Sequence, residues 1–222
     1  NGKFEDNEPV TSIYVPPNTE LEIGDAMSNG DWEGYLDNIA LIPRPLNATE
    51  IEEVYLGYRS EFGIEDSSGN GNNGVLYGDT LASWNFDNGF ARDISSYGND
   101  GYITGANYTT ECISGGCFKF DGINDKIESN TMEISREEFS AFGWIKPENI
   151  NKFQAIFAKD DWGDSFVFRI EDTNSLFLRI YFNDSTSTPE IRCSSISADE
   201  WQHVGFTFSH DYGVRVYKNG DI

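Results

Sequence analysis

The sequence predicts an all-β fold, a sandwich of two antiparallel sheets with one short helix. In most segments apolar and polar residues alternate with a period of two, as at Val204, Phe206 and Phe208, which share one face of a strand. Clusters of Gly, Asn, Asp and Ser separate these segments and are typical of turns. A helical pattern occurs in one short segment. About fourteen short strands with a single helix indicate a β-sandwich.

The individual strand predictions follow from this alternation and from the β-branched and aromatic residues in each segment. Segments 166–171 and 176–182 are apolar at nearly every position, so we expect both of their faces to be covered. The predicted strands are, in order, 10–15, 20–23, 34–42, 75–77, 81–87, 117–120, 126–129, 139–146, 154–158, 166–171, 176–182, 190–194, 202–209 and 213–217.

The predicted helix covers residues 47–56. Asn47 is its expected N-cap, and Glu50, three residues later, completes a capping box. Leu46 and Ile51 occupy the two positions of a hydrophobic staple. Gly57 is expected to end the helix.

The composition excludes several classes of function. The 222 residues contain 15 Lys and Arg against 38 Asp and Glu, which gives a net charge of −23. A surface this acidic repels phosphates, so neither nucleic acid nor an anionic membrane is an expected partner. Aromatic residues make up 14% of the chain, which excludes a disordered acidic tail. No apolar run reaches the ~18–20 residues of a membrane-spanning helix, so we expect no membrane insertion.

Several motifs in the second part of the chain resemble those of one family. They are W-N-F-D at 84–87, D-I-S-S-Y-G-N-D-G at 93–101, F-D-G-I-N-D-K-I at 120–127, F-S-A-F-G-W-I-K-P at 139–147, and W-Q-H-V at 201–204 followed by Y-K-N-G at 217–220. Together they resemble the laminin-G-like, concanavalin A-like lectin/glucanase domains. The resemblance implies a jelly-roll of two packed antiparallel sheets, and it extends over about 140 residues.

The order of the motifs is unusual, because the elements that end a laminin-G-like domain stand at the start of this chain. Segments 21–24, 34–39 and 44–51 resemble the last strands and the short helix of the family. Those elements are expected after the Asn219-Gly220 turn, and the chain itself begins with Asn1-Gly2. The start does not resemble a native N-terminus, so we expect a processed product or an excised piece.

We therefore divide the chain into three parts. Residues 1–58 carry the C-terminal strands and helix of a laminin-G-like domain, 59–80 form a linker with an extra strand, and 81–222 carry the N-terminal and central strands. We expect 21–23 and 35–41 to pair with strands of the third part. Two explanations stay open, namely excision from a tandem array, and a domain completed by permutation or by a neighbouring chain.

The linker contains a second copy of the opening motif. Segment 66–74 resembles 93–101 at an offset of 93 − 66 = 27 residues. One domain needs one such element, so the extra copy is a linker strand, an extra edge strand or a strand given to a neighbour. The linker, from Gly57 to Thr80, can span ~80 Å when fully extended. We expect head-to-tail association by strand complementation, with copies of the chain or adjacent repeats of the same polypeptide, into a filament or surface array.

Catalysis is not expected. The resemblance implies that a glucanase of this class carries an E-x-D-x-x-E strand, and retaining hydrolysis needs two carboxyl groups about 5–5.5 Å apart. No predicted strand has this pattern. His203 lies in the W-Q-H-V motif, where a packing role is expected, and His210 falls in a turn.

The resemblance also implies one structural calcium ion. The residues that match the relevant elements are Asp93, Asn99, Asp121 and Asp37. Calcium prefers six to eight oxygen ligands, which carboxylates, amides and carbonyls supply. The alternative is that Asp, Asn and Gly build turns in these segments.

The cysteines and sequons indicate an extracellular or cell-surface protein. Cys112 and Cys117 flank a Ser-Gly-Gly turn and are the expected disulfide, which leaves Cys193 free or paired between molecules. A Cys117–Cys193 bridge is the alternative. Asn-x-Ser/Thr sequons for glycosylation begin at Asn47, Asn107 and Asn183.

Sugar binding is a further expectation. Exposed aromatic rings stack on sugars, and aromatic residues lie in or near polar turns at Trp32, Tyr35, Tyr97 and Trp162. The loop of Trp162 with Asp160, Asp161 and Asp164 is the best single candidate for sugar or calcium binding, and the alternative is a solvated acidic loop with one aromatic anchor. Two functions therefore remain: a non-enzymatic extracellular module of structure or adhesion that self-associates, or a carbohydrate-binding module of a secreted multidomain protein.

Overall fold

The computed structural model describes residues 20–26, 30–59, 80–130, 132, 134, 138–159, 166–181, 190–209 and 211–222. These residues form two antiparallel sheets and one helix. The elements in chain order are β1 (Leu21–Ile23), β2 (Glu33–Ile42), α1 (Ala48–Arg59), β3 (Ala82–Trp84), β4 (Gly101–Thr104), β5 (Asn107–Thr109), β6 (Cys117–Asp121), β7 (Lys126–Ser129), β8 (Glu138–Pro147), β9 (Gln154–Lys159), β10 (Phe166–Ile170), β11 (Ser175–Ile180), β12 (Ile191–Ser195), β13 (Gln202–Ser209) and β14 (Gly213–Lys218).

The strands form two seven-stranded sheets packed as a sandwich. Sheet 1 has the order β12-β11-β10-β9-β1-β7-β4. Sheet 2 has the order β14-β13-β8-β2-β6-β5, with β3 also paired to β2. This architecture confirms the predicted jelly-roll.

The N-terminal strands lie in the interior of both sheets. In sheet 1, β1 pairs with β7 through Glu22 and Glu128 and with β9 through Glu22 and Ala158. In sheet 2, β2 pairs with β8 along one side and with β6 and then β3 along the other. The pairing expected for 21–23 and 35–41 is therefore present, and it occurs within a single chain. The division of the chain at 58 and 80 stays a prediction.

One continuous apolar core fills the space between the sheets. Its largest members are fully buried aromatic side chains contributed by both sheets and by the loops that join them, including Trp32, Trp84, Phe120, Phe157 and Phe206. Burial of each large apolar side chain contributes about 1.5–3 kcal/mol, so the core depends on β1 and β2 as much as on the later strands.

The helix covers the outer face of sheet 2. The predicted capping box is present, because Asn47 Oδ1 accepts the Glu50 N–H at 3.1 Å and Glu50 Oε2 accepts the Asn47 N–H at 2.8 Å. The Arg44 guanidinium also donates a hydrogen bond to Glu50 Oε1 at 2.7 Å. The helix packs through a small apolar cluster, Ile42, Leu46, Ile51, Val54, Phe142 and Tyr217.

The helix is longer than predicted, since it continues past Gly57 to Arg59. The expectation that Gly57 ends the helix was wrong. A glycine inside a helix costs about 1 kcal/mol relative to alanine but does not by itself stop the hydrogen-bonded turns.

The strand predictions differ from the structure in two further places. Strands β4 and β5 were not predicted, because both are short and lie at the sheet edges. The expectation that 166–171 is covered on both faces was wrong, since Val167 and Arg169 are partly exposed while their neighbours are buried. Predicted strands 10–15 and 75–77 lie outside the described residues.

Candidate functional site

The outer face of sheet 2 carries a row of three side chains that are unusual for a sheet surface. Asp37 on β2 pairs with Trp144 on β8, and Trp144 pairs with His203 on β13. Residues opposite each other in antiparallel strands place their side chains on the same face. All three are buried, with exposed fractions of 0–2%. The row therefore holds two ionisable groups away from water.

His203 is packed among aromatic rings. Its imidazole lies parallel to the Phe142 ring, with centroids 5.7 Å apart, and 5.3 Å from the Trp144 ring. Tyr55 of the helix stacks on Trp144 at 5.5 Å. Burial lowers the pKa of His203 to about 3, so the ring is neutral at physiological pH. These contacts fit the packing role expected for this residue.

Asp37 lies where β2 bulges. The pairing with β8 shifts register between Asp37 and Ala40, and the intervening Asn38 has a φ of 48°, in the left-handed region. The Asp37 side chain is fully buried, and neither carboxylate oxygen has a hydrogen-bond partner. Burial raises the pKa of Asp37 to about 8. The backbone amides of Ser114 and Asn38 lie close enough to offset part of that rise.

A loop closed by a disulfide lies over this side of the sheet. Cys112 and Cys117 form the expected bridge, with Cα atoms 5.6 Å apart. The loop approaches Asp87, because the Gly116 N–H donates to Asp87 Oδ1 at 3.2 Å. Gly115 has a φ of 55°, and a Cβ at this position would overlap Asp87 Oδ1. The disulfide loop, residues 112–117, thus adjoins both carboxylates.

Asp87 is an exposed residue that the sequence analysis did not select. Its Oδ2 accepts a hydrogen bond from the Asn85 side chain at 2.9 Å, and its negative charge adds to the rise in the pKa of Asp37. It follows Phe86, a non-glycine residue with a φ of 58°. Asp87 is the last residue of the W-N-F-D motif, and this motif was the only sequence signal that could have drawn attention to it. Its position near Asp37 depends on the fold.

Asp93 has the opposite environment. Its Oδ1 accepts the N–H groups of Ser83 and Ser95, both at 2.9 Å. Its Oδ2 accepts the Ser95 hydroxyl and the Asn99 N–H, both at 2.7 Å. Asn99 in turn donates its side-chain N–H to the Leu81 carbonyl at 2.8 Å. Asp93 and Asn99 therefore hold loop 93–99 against β3. This is the turn-building role that the sequence analysis gave as the alternative to calcium binding.

Asp121 lies at the end of β6 and is exposed. Its Oδ1 accepts the Ile123 N–H at 2.9 Å, and its own N–H donates to Asp125 Oδ2 at 2.8 Å. Asp125 is buried, and burial raises its pKa. This pair shapes the turn between β6 and β7.

The structure brings together Asp93 and Asn99 but places Asp37 and Asp121 on other elements. Within the described ranges no group of three or more His, Cys, Asp or Glu residues is suited to a metal ion. The oxygens of Asp93 are already used by four donors. The disulfide loop faces Asp37 and Asp87 with backbone N–H groups, those of Ser114 and Ile113 near Asp37 and that of Gly116 near Asp87.

The outer face of sheet 1 carries a different cluster, which we call the arginine ladder. Three guanidinium groups surround the ring of buried Phe177, at 4.3, 5.2 and 5.5 Å from its centroid, and belong to Arg169, Arg192 and Arg179 respectively. Two glutamates join the arginines into a chain of ion pairs, in the order Arg169–Glu171–Arg192–Glu190–Arg179. Arg192 is the most exposed arginine, at 49% of its side chain.

The other predicted site residues have mixed outcomes. Trp32 lies in the core and Tyr35 is buried, so the expectation that they are exposed was wrong, whereas Tyr97 is 60% exposed. Asn47 and Asn107 of the sequons are exposed, and their glycosylation stays a prediction. The side chain of Cys193 is not among those described. Five further predicted site residues lie outside the described residues, namely Asp160, Asp161, Trp162, Asp164 and Asn183.

The comparisons with known proteins support the fold. A laminin-G family model, described as the concanavalin A-like lectin/glucanases superfamily, matches residues 121–221. The searches of curated proteins and of solved structures found no significant match. The disulfide is consistent with a location outside the cytoplasm. In the part of the chain that is described, no helix is long and apolar enough to cross a membrane.

The matched segment contains β7 to β14, and β1 and β2 complete the two sheets that these strands build. Residues 121–221, which supply β7 to β14 of the jelly-roll sandwich, are therefore similar in sequence to the concanavalin A-like lectin/glucanases superfamily.

Proposed function

We propose that this domain is a non-enzymatic extracellular module of adhesion or structure, which joins neighbouring units by exchanging the segment that contains β1, β2 and α1. The observation that supports the proposal is the position of these strands. Both lie in the interior of a sheet, and 22 residues of sequence separate the end of α1 at Arg59 from the start of β3 at Ala82.

The sandwich cannot remain folded without this segment. Removal of β2 would unpair β8 from β6 and β3 and expose the core side chains Leu36, Ile39 and Leu41. Each large apolar side chain that leaves the core costs about 1.5–3 kcal/mol. Either the chain's own segment or the same segment of a neighbour must therefore occupy this position.

Exchange with a neighbour is sterically accessible. Residues 60–79 connect α1 to β3, and a fully extended chain of this length reaches about 70 Å. The donated segment of one unit then binds the accepting strands of the next unit. The two surfaces in contact are different, so the contact is heterologous. Such contacts do not close by symmetry, so repetition gives a head-to-tail filament or array.

Two defective variants test the exchange. Leu36→Asp breaks the donated strand, and Phe206→Asp breaks the accepting part of the core, since both side chains are fully buried. Neither variant folds alone. Refolded together, they are expected to give one folded sandwich per pair of chains, measured by light scattering after size exclusion and by tryptophan fluorescence. The matched control is each variant refolded with itself.

The proposal fails if the mixture stays unfolded and the unmodified chain remains a monomer at all concentrations. Filaments or arrays of the unmodified chain in electron micrographs would support it directly. For the absence of enzymatic activity, the measurement is release of reducing ends from β-glucans, and none is expected. Release that is lost on a Glu→Gln change would contradict the proposal.

A lectin-like activity is the second candidate, and the arginine ladder favours it. Guanidinium groups bind carboxylates and sulfates through paired hydrogen bonds, so acidic glycans are the class to test. Arg192→Gln is expected to reduce binding on an array that includes uronate-containing glycans. Arg215→Gln on β14 is the matched control, because β14 belongs to the other sheet. Binding that is equal for both variants, or undetectable for the unmodified chain, excludes this site.

A further inference from the structure

The linker repeats an element that the structure describes elsewhere in the chain. Segment 66–78 aligns with segment 93–105, which contains loop 93–99 and β4, at the offset of 27 residues. Six positions hold the same residue in both segments, namely Asp66 and Asp93, Ser68 and Ser95, Gly71 and Gly98, Asn72 and Asn99, Gly74 and Gly101, and Gly78 and Gly105.

The shared residues are the ones that the described copy needs for its structure. Asp93 accepts the N–H groups of Ser95 and Asn99, which closes the loop. A Cβ at Gly101 would lie 2.7 Å from Ile127 Cγ2, so this position has no room for a side chain. The other two shared glycines have φ angles of 71° and 78°, in the left-handed region that favours glycine.

The positions that differ between the two segments include the most exposed ones. The side chains of Ile94, Tyr97 and Tyr102 are 45–73% exposed, and the linker has other residues at their positions. The partly buried Ile103 packs against the core, and its counterpart Leu76 is also apolar. Segment 66–78 therefore keeps what the loop and strand require and varies where side chains face solvent.

The described copy occupies a position from which it can be exchanged. β4 is the last strand of sheet 1 and pairs with β7 at four positions. Its outer side is bonded at Gly101, whose N–H donates to the Ala91 carbonyl at 2.6 Å. A short edge strand can leave without separating the interior strands of the sheet, and exchange of an identical element between chains costs little.

The linker copy cannot take this position in its own chain. Leu81 bonds Leu41 at one end of β2, whereas Gly105 adjoins the turn between β6 and β7, which β6 enters opposite Glu33 at the other end. The two ends are eight residues apart along β2, which is about 26 Å. Gly78 is three residues from Leu81, and three residues reach at most about 11 Å. A linker copy beside β7 must therefore come from another chain.

We propose that the edge position beside β7 accepts either of two occupants, the chain's own loop 93–99 with β4, or segment 66–78 of a second copy of the chain. The chain's own element is tethered, which gives it an effective concentration in the mM range, so the second copy competes when units are held close together. The donated segment and the accepting edge are different surfaces, so the contact runs head to tail. This contact does not require the exchange of β1, β2 and α1.

Disulfide trapping between two single variants tests the contact. Val75 is the counterpart of Tyr102, and Tyr102 lies opposite Glu128. Residues opposite each other in antiparallel strands are close enough for a disulfide. Val75→Cys mixed with Glu128→Cys is expected to give a 75–128 linkage, identified by mass spectrometry of the covalent dimer. The yield should be at least about tenfold above that of Gly69→Cys mixed with Glu128→Cys, because docking raises the effective concentration of the paired thiols.

The control mixture carries the same native cysteines, so any reaction of Cys193 is equal in both. Its cysteine is placed at Gly69, whose counterpart Ser96 lies in the loop and not on β4. Equal yields of the two mixtures overturn the proposal. This result is separate from the refolding of Leu36→Asp with Phe206→Asp, so failure of one contact does not imply failure of the other.

A second experiment disables the chain's own copy. Gly101→Val blocks β4 from its position and is expected to associate, with at least twice the mass of one chain by light scattering. Adding Gly74→Val should abolish this association, whereas adding Gly69→Val should keep it. The proposal is overturned if Gly101→Val remains a monomer, or if the two double variants associate equally. The trapping experiment leaves Gly101 unchanged, so it decides the question even if Gly101→Val does not fold.

Discussion

Two buried aspartates of this sandwich differ in one respect that decides their roles. Asp93 is 6% exposed and Asp37 is 0% exposed, so both carboxylates are withdrawn from water. Asp93 accepts four hydrogen bonds at 2.7–2.9 Å, from Ser83 on β3 and from Ser95 and Asn99 in its own loop. Asp37 accepts no hydrogen bond of normal geometry, although nearby backbone N–H groups offset part of the rise in its pKa. At similar burial, Asp93 therefore holds its loop in place through hydrogen bonds, whereas the Asp37 carboxyl group lacks donors of normal geometry.

The difference shows that burial alone does not define a site. A buried carboxylate whose oxygens are all used by donors has no lone pair left for a ligand. A buried carboxylate without donors keeps all its lone pairs unused and bears the full cost of losing its hydration. The number of hydrogen bonds that each aspartate accepts therefore distinguishes their roles, although their sequence motifs look alike.

The largest expected effect is at Asp93. Asp93→Ala leaves the N–H groups of Ser83, Ser95 and Asn99 without acceptors, and each unsatisfied buried group costs about 1–3 kcal/mol. We expect a loss of about 3–5 kcal/mol in the free energy of unfolding, measured with urea. Asp172→Ala is the control. A loss below about 1 kcal/mol would show that the loop does not depend on this carboxylate.

A smaller effect is expected from His203 as the pH falls. The pKa of His203 is about 3 in the folded state, below its value of about 6.5 in the unfolded chain. The unfolded state therefore binds the extra proton between these values, so stability falls as the pH falls below 6.5. His203→Phe preserves the ring and removes the titration. Between pH 7 and 5 the unmodified chain should lose about 1–2 kcal/mol more than this variant. Parallel curves would contradict the assignment.

The smallest effect is expected at Gly115, in the disulfide loop. Gly115→Ala forces alanine into a φ of 55° and places its Cβ against Asp87, whereas Gly98→Ala meets a φ of 71° with no atom nearby. The left-handed conformation costs about 1–2 kcal/mol in each variant. Gly115→Ala should lose more stability than Gly98→Ala in urea unfolding, because only its Cβ meets another residue. Equal losses would show that the disulfide loop moves away from Asp87 without cost.

Much of the fold was predictable from local patterns. Strands with strict alternation, such as β7 and β13, were predicted with their observed bounds. The capping box located the start of the helix, because Asn47 and Glu50 are close in sequence. The edge strands β4 and β5 were not predicted, since 4 and 3 residues are too few to show an alternation of apolar and polar positions. Their structure depends on the neighbours with which they pair.

The candidate site was only partly predictable, for a physical reason. Asp37 was identified by resemblance, but its lack of partners depends on β8 and the disulfide loop, which are distant in sequence. Asp93 was nominated as a ligand on the same grounds, and its four donors become visible only in the folded loop. Asp87 was missed because an Asp before Asn-Gly has the composition of a turn.

The most direct measurement compares Asp37→Asn with Asp93→Asn by urea unfolding at pH 9, above the pKa of Asp37. The folded-state pKa of Asp37 is raised, so its contribution to stability is complete below about pH 4 and is lost as the pH rises to about 8. At pH 9 Asp37→Asn removes a buried charge that no basic side chain pairs with, and it is predicted to stabilise the protein by about 1–3 kcal/mol. Asp93→Asn is predicted to destabilise it. If both substitutions destabilise the protein to a similar extent, Asp37 has native partners and the contrast between the two aspartates is wrong.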